Sequence, residues 1–291
     1  MVRVKKGSLY YHYPIIVRTP ELSKNPLGKD SEYPDRYAPD VLCPIRRSDA
    51  RNAMGLSGTL PFGGADIWNA YELTWLEESG RPVVATAVLQ VPATSKQIFE
   101  SKSLKIYLNS FSMCRYASVD ELSSVIARDL GEIAKSEVSV KLTPSGESVN
   151  DVIGTLPGTC IDSASGDFSA PDVDASLLRA NAEEVVEEEL HSHLLRSNCP
   201  VTNQPDLGSV LIRYRGPRIS HSSLLEYIVS FRQHNDFHEA CVERMFIDIK
   251  ERCKSQKLSL SAYYTRRGGI DINPFRSDFE ANAAKIRLWR Q

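Results

Sequence analysis

The chain lacks a long apolar run. Nowhere in its 291 residues do the 18 or more consecutive apolar positions of a membrane span occur. It lacks an excess of either charge: 35 Lys and Arg stand against 37 Asp and Glu, a net charge of −2. That excludes the broad basic field of sequence-independent nucleic-acid binding and leaves room only for a local basic site for a small phosphate. It lacks paired cysteines. The six, at 43, 114, 160, 199, 241 and 253, form no CxxC and no regular framework, which in a chain this long reads as reduced thiols. The start, MVRVKKGSLYYHYPIIV, has basic residues but no sustained apolar stretch and no small-residue cleavage site, so an unprocessed, cytoplasmic protein is expected. Also missing are GxGxxG, GxxxxGK(S/T), HExxH and GxSxG, which argues against a Rossmann dinucleotide fold and a Walker-type phosphate loop.

What is present is an ordinary globular composition, 42% apolar and 25% charged, enough for a real core and, at about 150 residues per domain, for roughly two domains. Residues 1–58, rich in Pro, Asp, Arg and Tyr, read as an irregular arm packed over something else. Val83 to Leu89 is β-branched and apolar, as in a buried strand. A helix is expected over Lys102–Phe111. A second opens at Ser118, with Glu121 completing a capping box and Leu122, Val125, Ile126, Leu130 and Ile133 on one face. Val138, Val140 and Leu142 then alternate with polar residues as a half-buried strand. Residues 143–180, dominated by Ser, Gly, Pro, Asp and Thr, read as a long connection.

The second half runs in the same order: strand at Val210–Tyr214, helix at Ser222–Phe231, helix from about Asp236, strand at Leu258–Tyr264, and a Gly268-Gly269 break before Ile270. Shifted by 120, ESKSLKIYLNSF (100–111) falls on SHSSLLEYIVSF (220–231) with five identities in twelve, where composition gives about one. An internal duplication accounts for this, although amphipathic helices also resemble each other by pattern. Residues 185–197, VVEEELHSHLLRS, fit a helix by composition and a strand by alternation.

Four clusters carry chemistry. In SNCPVTNQPD, two prolines and a turn would hold the Cys199 thiol across from Asp206, a nucleophile beside a proton donor or acceptor; a lone cysteine is otherwise a small buried hydrophobe. In HNDFHE, His234 and His238 have zinc-ligand spacing, while Asp236 and Glu239 have capping-box spacing. Glu100-Ser101-Lys102 heads a helix. Thr265-Arg266-Arg267-Gly268-Gly269 can bring guanidinium and backbone groups to a phosphate, or is simply a basic strand end entering a turn.

Together, SNCPVTNQPD, YIVSFRQHNDFHE, ESKSLKIYLNSF and YTRRGGIDINPFR resemble the nitrile reductases of queuosine biosynthesis, the NADPH-dependent 7-cyano-7-deazaguanine reductases of the QueF family. LPFGGADIWNAYELTWL (60–76) resembles the long, two-module form. The resemblance covers about 60–142 and 185–276. It implies an α+β protein of two tandem tunnelling-fold modules, with antiparallel sheets and paired helices on one face. The expected division is an N-terminal module with its arm at 1–145, a linker at 146–184 and a C-terminal module at 185–291. Short-form members carry the Glu-Ser-Lys and Phe-His-Glu motifs in one continuous stretch. Here the N-terminal half keeps Glu100-Ser101-Lys102 and has Ala117-Ser118-Val119 where His-Glu would stand, while the C-terminal half keeps Phe237-His238-Glu239 and has Ser220-His221-Ser222 in place of Glu-Ser-Lys. One composite site per chain follows.

The resemblance further implies roles. Cys199 would form a covalent thioimide with the nitrile of 7-cyano-7-deazaguanine, Asp206 would donate a proton from a carboxyl kept neutral by burial, and His238 would mediate or orient. Ile98 and Phe99 would pack beside the base, with Glu100, His238 and Glu239 binding it. Ser101, Lys102, Arg267 and Gly268 would hold the phosphates of NADPH, two per turnover, with no metal. The expected assembly is a cytoplasmic homodimer with no nucleic-acid or membrane partner. Two other readings are a zinc-dependent GTP cyclohydrolase-like enzyme using Cys199, His234 and His238, and a non-catalytic purine-binding protein.

Overall fold

The computed structural model describes residues 33–147 and 153–291. The first 32 residues of the expected arm, and residues 148–152 of the expected connection, lie outside the described residues. The N-terminal half runs β1 (Pro44–Arg46), α1 (Arg47–Ala53), β2 (Gly63–Leu76), β3 (Pro82–Pro92), β4 (Gln97–Phe99), α2 (Ser101–Asn109), α3 (Val119–Ala134) and β5 (Ser139–Pro144). Short strands β6 (Ile153–Gly154) and β7 (Thr159–Cys160) lie in the connection. Then come β8 (Ala180–Asn198), β9 (Pro205–Ile219), α4 (His221–Ser230), α5 (His238–Cys253), β10 (Lys257–Tyr264), β11 (Ile270–Ser277) and β12 (Arg287–Leu288). No helix among the described residues is long and apolar enough to cross a membrane.

The two halves share a single eight-stranded sheet, ordered β5-β3-β2-β11-β10-β9-β8-β7, and not a separate sheet each. They join where β2 pairs antiparallel with β11 from Ile270↔Ala70 to Ser277↔Gly63. Because successive side chains alternate across a strand, the pairs Ile272↔Trp68 and Leu260↔Arg276 put all four side chains on one face. The helices cover that face. Two apolar clusters fill the space between, one built on Trp68, Leu89, Phe99, Tyr107 and Leu130, the other on Ile212, Tyr227, Met245, Phe246 and Leu260.

Identical residues of the two helix pairs make matching contacts. The Tyr107 hydroxyl donates to Asp129 at 2.7 Å and the Tyr227 hydroxyl to Asp248 at 2.8 Å. The Ser110 and Ser230 hydroxyls each donate to the tyrosine carbonyl three residues back at 2.6 Å. Phe111 and Phe231 meet those tyrosines edge to face, and Lys135 and Lys254 end the second helices in the left-handed conformation at φ 53°. These contacts turn the shared pattern into shared packing. They also correct the alignment by one residue: α3 and α5 begin at Val119 and His238, so the N-terminal counterpart of His238-Glu239 is Val119-Asp120 and not the stretch ending at Val119.

Several expectations change in detail. The segment 185–197 is strand, part of β8, paired antiparallel with β9. A bulge between Ser192 and Leu195 brings Leu190 and Leu195 to one face although their separation is odd, which is why the alternation read from sequence pointed two ways. The strand over 83–89 is buried on one side only: Ala85, Ala87 and Leu89 are covered, while Val84 is 54% exposed. The described part of the arm is not irregular throughout, since it contains β1 and α1 and pairs with β4. Nor is the connection without a core contribution: Ile161 and Leu178 are buried in the C-terminal cluster. The capping box at Ser118 forms, with Glu121 N–H donating to the Ser118 hydroxyl and the Glu121 carboxylate accepting from Ala117 N–H. The one at Asp236 does not, because α5 starts later, with Phe237 as its N-cap.

Candidate active site

The β8–β9 hairpin positions the thiol. Its ladder pairs Ser197 with Asp206. Cys199 lies two residues beyond Ser197, so alternation carries it onto the face that Asp206 shares. The turn is locked by Cys199 N–H donating to the Gln204 carbonyl and Asn203 N–H donating to the Cys199 carbonyl, both at 2.9 Å, with Asn203 in the left-handed region at φ 58°. The Cys199 residue is only 4% exposed, but it lines a cleft and is not sealed in an apolar interior. All six cysteines are free thiols.

The cleft takes its walls from both halves: Ile98, Phe99, Glu100 and Ser101 from the N-terminal side, and Cys199, Asp206, His238, Glu239 and Arg267 from the C-terminal side. Nine of the expected site residues therefore meet. Lys102 and Gly268 flank the cleft in sequence but are not among its lining residues. Trp68, Pro200, Asp236, Phe237 and Ile272 complete the lining and were not anticipated as site residues; Pro200, Asp236 and Phe237 adjoin anticipated ones in sequence, and Trp68 and Ile272 meet as a pair only across the β2–β11 joint.

The resemblance implies an Asp206 carboxyl kept neutral by burial; in the structure Asp206 instead has a cationic partner. Its Oδ1 accepts from Arg267 Nη1 at 2.6 Å, and its Oδ2 lies 3.6 Å from His238 Nε2, just beyond hydrogen-bond range. Arg267 is therefore an ion-pair partner of Asp206 as well as a candidate phosphate ligand. The Glu100 carboxylate caps α2, accepting from Lys102 and Ser103 N–H at 2.7 and 2.8 Å; burial nonetheless pushes its carboxyl up from the usual range. A carboxylate has about four acceptor positions, so capacity remains.

Glu239 is the unusual group. Its Oε1 is buried with no hydrogen-bond partner among the described residues. Burial, with the nearby Asp66 charge adding to it, pushes the carboxyl up to about 7. The folded protein thus holds this proton at pH values where the unfolded chain has lost it, and stability falls as pH rises through the window from 4.5 to about 7. Glu239→Gln is expected to raise stability by on the order of 2–3 kcal/mol near pH 8 and by a small fraction of that near pH 4. Urea unfolding at the two pH values checks this; a variant less stable at both would contradict it.

Behind the cleft lies a buried ionic network. Arg276, 0% exposed, donates to Asp66 Oδ1 and Glu243 Oε1, each at 2.8 Å. Arg51 grips Glu243 at 2.7 and 2.8 Å, and Arg47 pairs with Asp66. Arg47, Arg51 and Asp66 belong to the N-terminal half, Glu243 and Arg276 to the C-terminal half, so the network fixes one set of cleft walls against the other. Nothing in the sequence reading anticipates this network; Glu243, one helical turn after Glu239 on a mostly buried helix, is its one sequence signal.

His234 precedes α5 and lies 3.8 Å from Asp236, so it does not share a helical face with His238. Among the described residues, Cys199, His234 and His238 form no metal-ligand group.

The fold is that of two tunnelling-fold modules in tandem, and the cleft between them has a thiol, a carboxylate and an imidazole on one wall and a carboxylate and an apolar shelf on the other. Residues 33–142 match the family profile described as nitrile reductase, 7-cyano-7-deazaguanine-reductase N-term, and residues 205–283 match that of QueF-like protein. The two matches cover nearly two-thirds of the chain, and the chain belongs to the QueF family. A solved structure, an archaeosine synthase QueF-Like in the apo form, is 15% identical over 35% of this chain and 99% of its own length, with a TM-score of 0.29; a likeness that slight carries no weight.

Proposed function

We propose that the chain reduces the nitrile of 7-cyano-7-deazaguanine to the amine of 7-aminomethyl-7-deazaguanine, with NADPH as hydride donor and a thioimide on Cys199. The observation that carries this reading is the Glu239 carboxyl, whose Oε1 has no partner among the described residues, in a cleft that also holds Cys199, Asp206 and His238. A guanine-like base presents N1–H and an exocyclic amine, and a carboxylate with a free oxygen accepts such donors through charge-assisted hydrogen bonds. Glu100 offers its remaining acceptor capacity from the opposite wall. Trp68, Phe99, Phe237 and Ile272 supply apolar surface for the ring.

A nitrile carbon accepts hydride poorly, and prior attack by sulfur overcomes this. The Cys199 sulfur bonds to the carbon, and one π pair moves to nitrogen. The proton lost by the thiol is the one nitrogen gains, passed along Asp206 and His238, so S–H adds across the triple bond with no net change. Two molecules of NADPH, bound one after the other, would each supply one hydride, and two protons from solvent would complete the amine and restore the thiol. The chain's own part is to release the sulfur when the imine forms and to keep water from it. The donor set at the cleft edge fits a nucleotide phosphate: Ser101 and Lys102 in the first turn of α2, the partly exposed Arg267, and Gly268 at φ 62°, where a side chain would be strained.

Lys102→Ala is expected to lower kcat/KM roughly tenfold with NADPH and little with NADH. Arg267→Ala is expected to slow both, because it also unpairs Asp206. Equal losses with the two cofactors for Lys102→Ala would count against this assignment. The proposal extends to a cytoplasmic homodimer, in which the outer edge of β5 would be covered. Nitrile-dependent oxidation of NADPH by the purified protein is the decisive assay; its absence would overturn the reading.

A further inference from the structure

We propose that Cys160, His191 and His193 form a binding site for a borderline-soft divalent transition ion, with zinc as the natural occupant. The site lies on the sheet face away from the helices and takes no part in the nitrile chemistry, so it stands apart from the reading above. A metal was not expected from the sequence, where these residues are scattered between the connection and an ambiguous segment.

Parallel pairing of β7 with β8 sets Cys160 directly beside His191. His193 follows two residues on, on the same face. The three ligand atoms lie within 4.8 Å of one another. Bond lengths of about 2.3 Å to sulfur and 2.0 Å to nitrogen put tetrahedral ligands about 3.3–3.6 Å apart, so rotation of the exposed Cys160 side chain closes the set.

Each histidine is oriented from behind. His191 Nδ1 lies 2.8 Å from the Pro157 carbonyl, which can only accept, so Nδ1 carries the proton and Nε2 keeps its lone pair. His193 Nδ1 lies 2.8 Å from the Ser209 hydroxyl, which can accept the Nδ1 proton and so leave Nε2 free to ligate. This is the support that metal-binding histidines require. The peptide carrying Cys160 is pressed onto β8 at Gly158, where a Cβ would fall 2.0 Å from the Glu189 carbonyl oxygen. Asp162 clips the same segment, accepting from the Ser192 hydroxyl at 2.6 Å. Two nitrogens and a thiolate with an open fourth position suit zinc or cobalt better than magnesium or calcium, which prefer oxygen.

The test is anaerobic titration of reduced, chelator-treated full-length protein with Co²⁺, followed by displacement with Zn²⁺. The expected result is one Co²⁺ per chain with tetrahedral d–d bands and a thiolate charge-transfer band, both bleached by zinc. Cys160→Ser should remove the charge-transfer band, and Cys199→Ser should keep it. Ser209→Ala should weaken binding roughly tenfold by freeing the His193 ring. An octahedral spectrum, no spectrum, or a charge-transfer band that survives Cys160→Ser would overturn the proposal. Because Cys160 is exposed, its serine variant is expected to fold, which circular dichroism confirms independently.

Discussion

Replacing Cys199 with alanine is expected to lower nitrile-dependent NADPH oxidation by at least about three orders of magnitude while leaving the base-binding wall intact. Removing a covalent nucleophile deletes the step on which every later one depends, and the remaining binding groups recover only a small part of the rate. The thiol sits at a hairpin end whose backbone hydrogen bonds do not involve the side chain, so the truncation leaves the loop in place. Intact mass after mixing with 7-cyano-7-deazaguanine, without NADPH, should show one adduct on the wild type and none on Cys199→Ala. An adduct that persists in the variant would place the bond on another residue and end the mechanism as written.

Arg276→Met is expected to be the most damaging single change to stability, costing about 3–5 kcal/mol. It removes the group that bridges Asp66 and Glu243 across the joint of the halves. Both carboxylates stay buried, left with only Arg47 and Arg51. At about 2–4 °C per kcal/mol for a protein of this size, the melting temperature should fall by roughly 10 °C. Arg276→Lys should rescue little, because a single ammonium cannot reproduce a fork serving two carboxylates. A thermal melt of Arg276→Met within about 1 °C of the wild type would show that the network contributes nothing.

The network and Glu239 belong together. Glu239 is one helical turn from Glu243 on α5, and the Asp66 and Arg47 charges both act on it. Burial is the main cause of the raised Glu239 carboxyl, and the joint adds to it through Asp66 and opposes it through Arg47.

Much of the helical half of the fold was legible. The expected helices at 102–111 and 222–231 correspond to α2 and α4 within two residues, because their apolar positions follow a single period. The strand β2 was not assigned, since its register shifts between Ala70 and Leu73 and blurs the alternation; β8 was obscured in the same way. Bulges are set by the neighbouring strand, and a single segment carries no signal of where its partner will be. Asp236 and Glu239 show the opposite error. Their spacing suits a capping box, but the helix begins only after Asp236, which leaves Glu239 without that partner and facing the cleft.

From the chain alone came the repeat, the reciprocal loss of motifs between halves, and the identities of Cys199, Asp206, His238 and Glu239, because these are matters of residue type and order. The pairing of Arg267 with Asp206, the ionic joint behind the cleft and the Cys160–His191–His193 cluster came only from the folded structure. Each depends on residues from distant segments arriving at one place, and the free energy of a buried charge or a metal ligand is set by its neighbours in space.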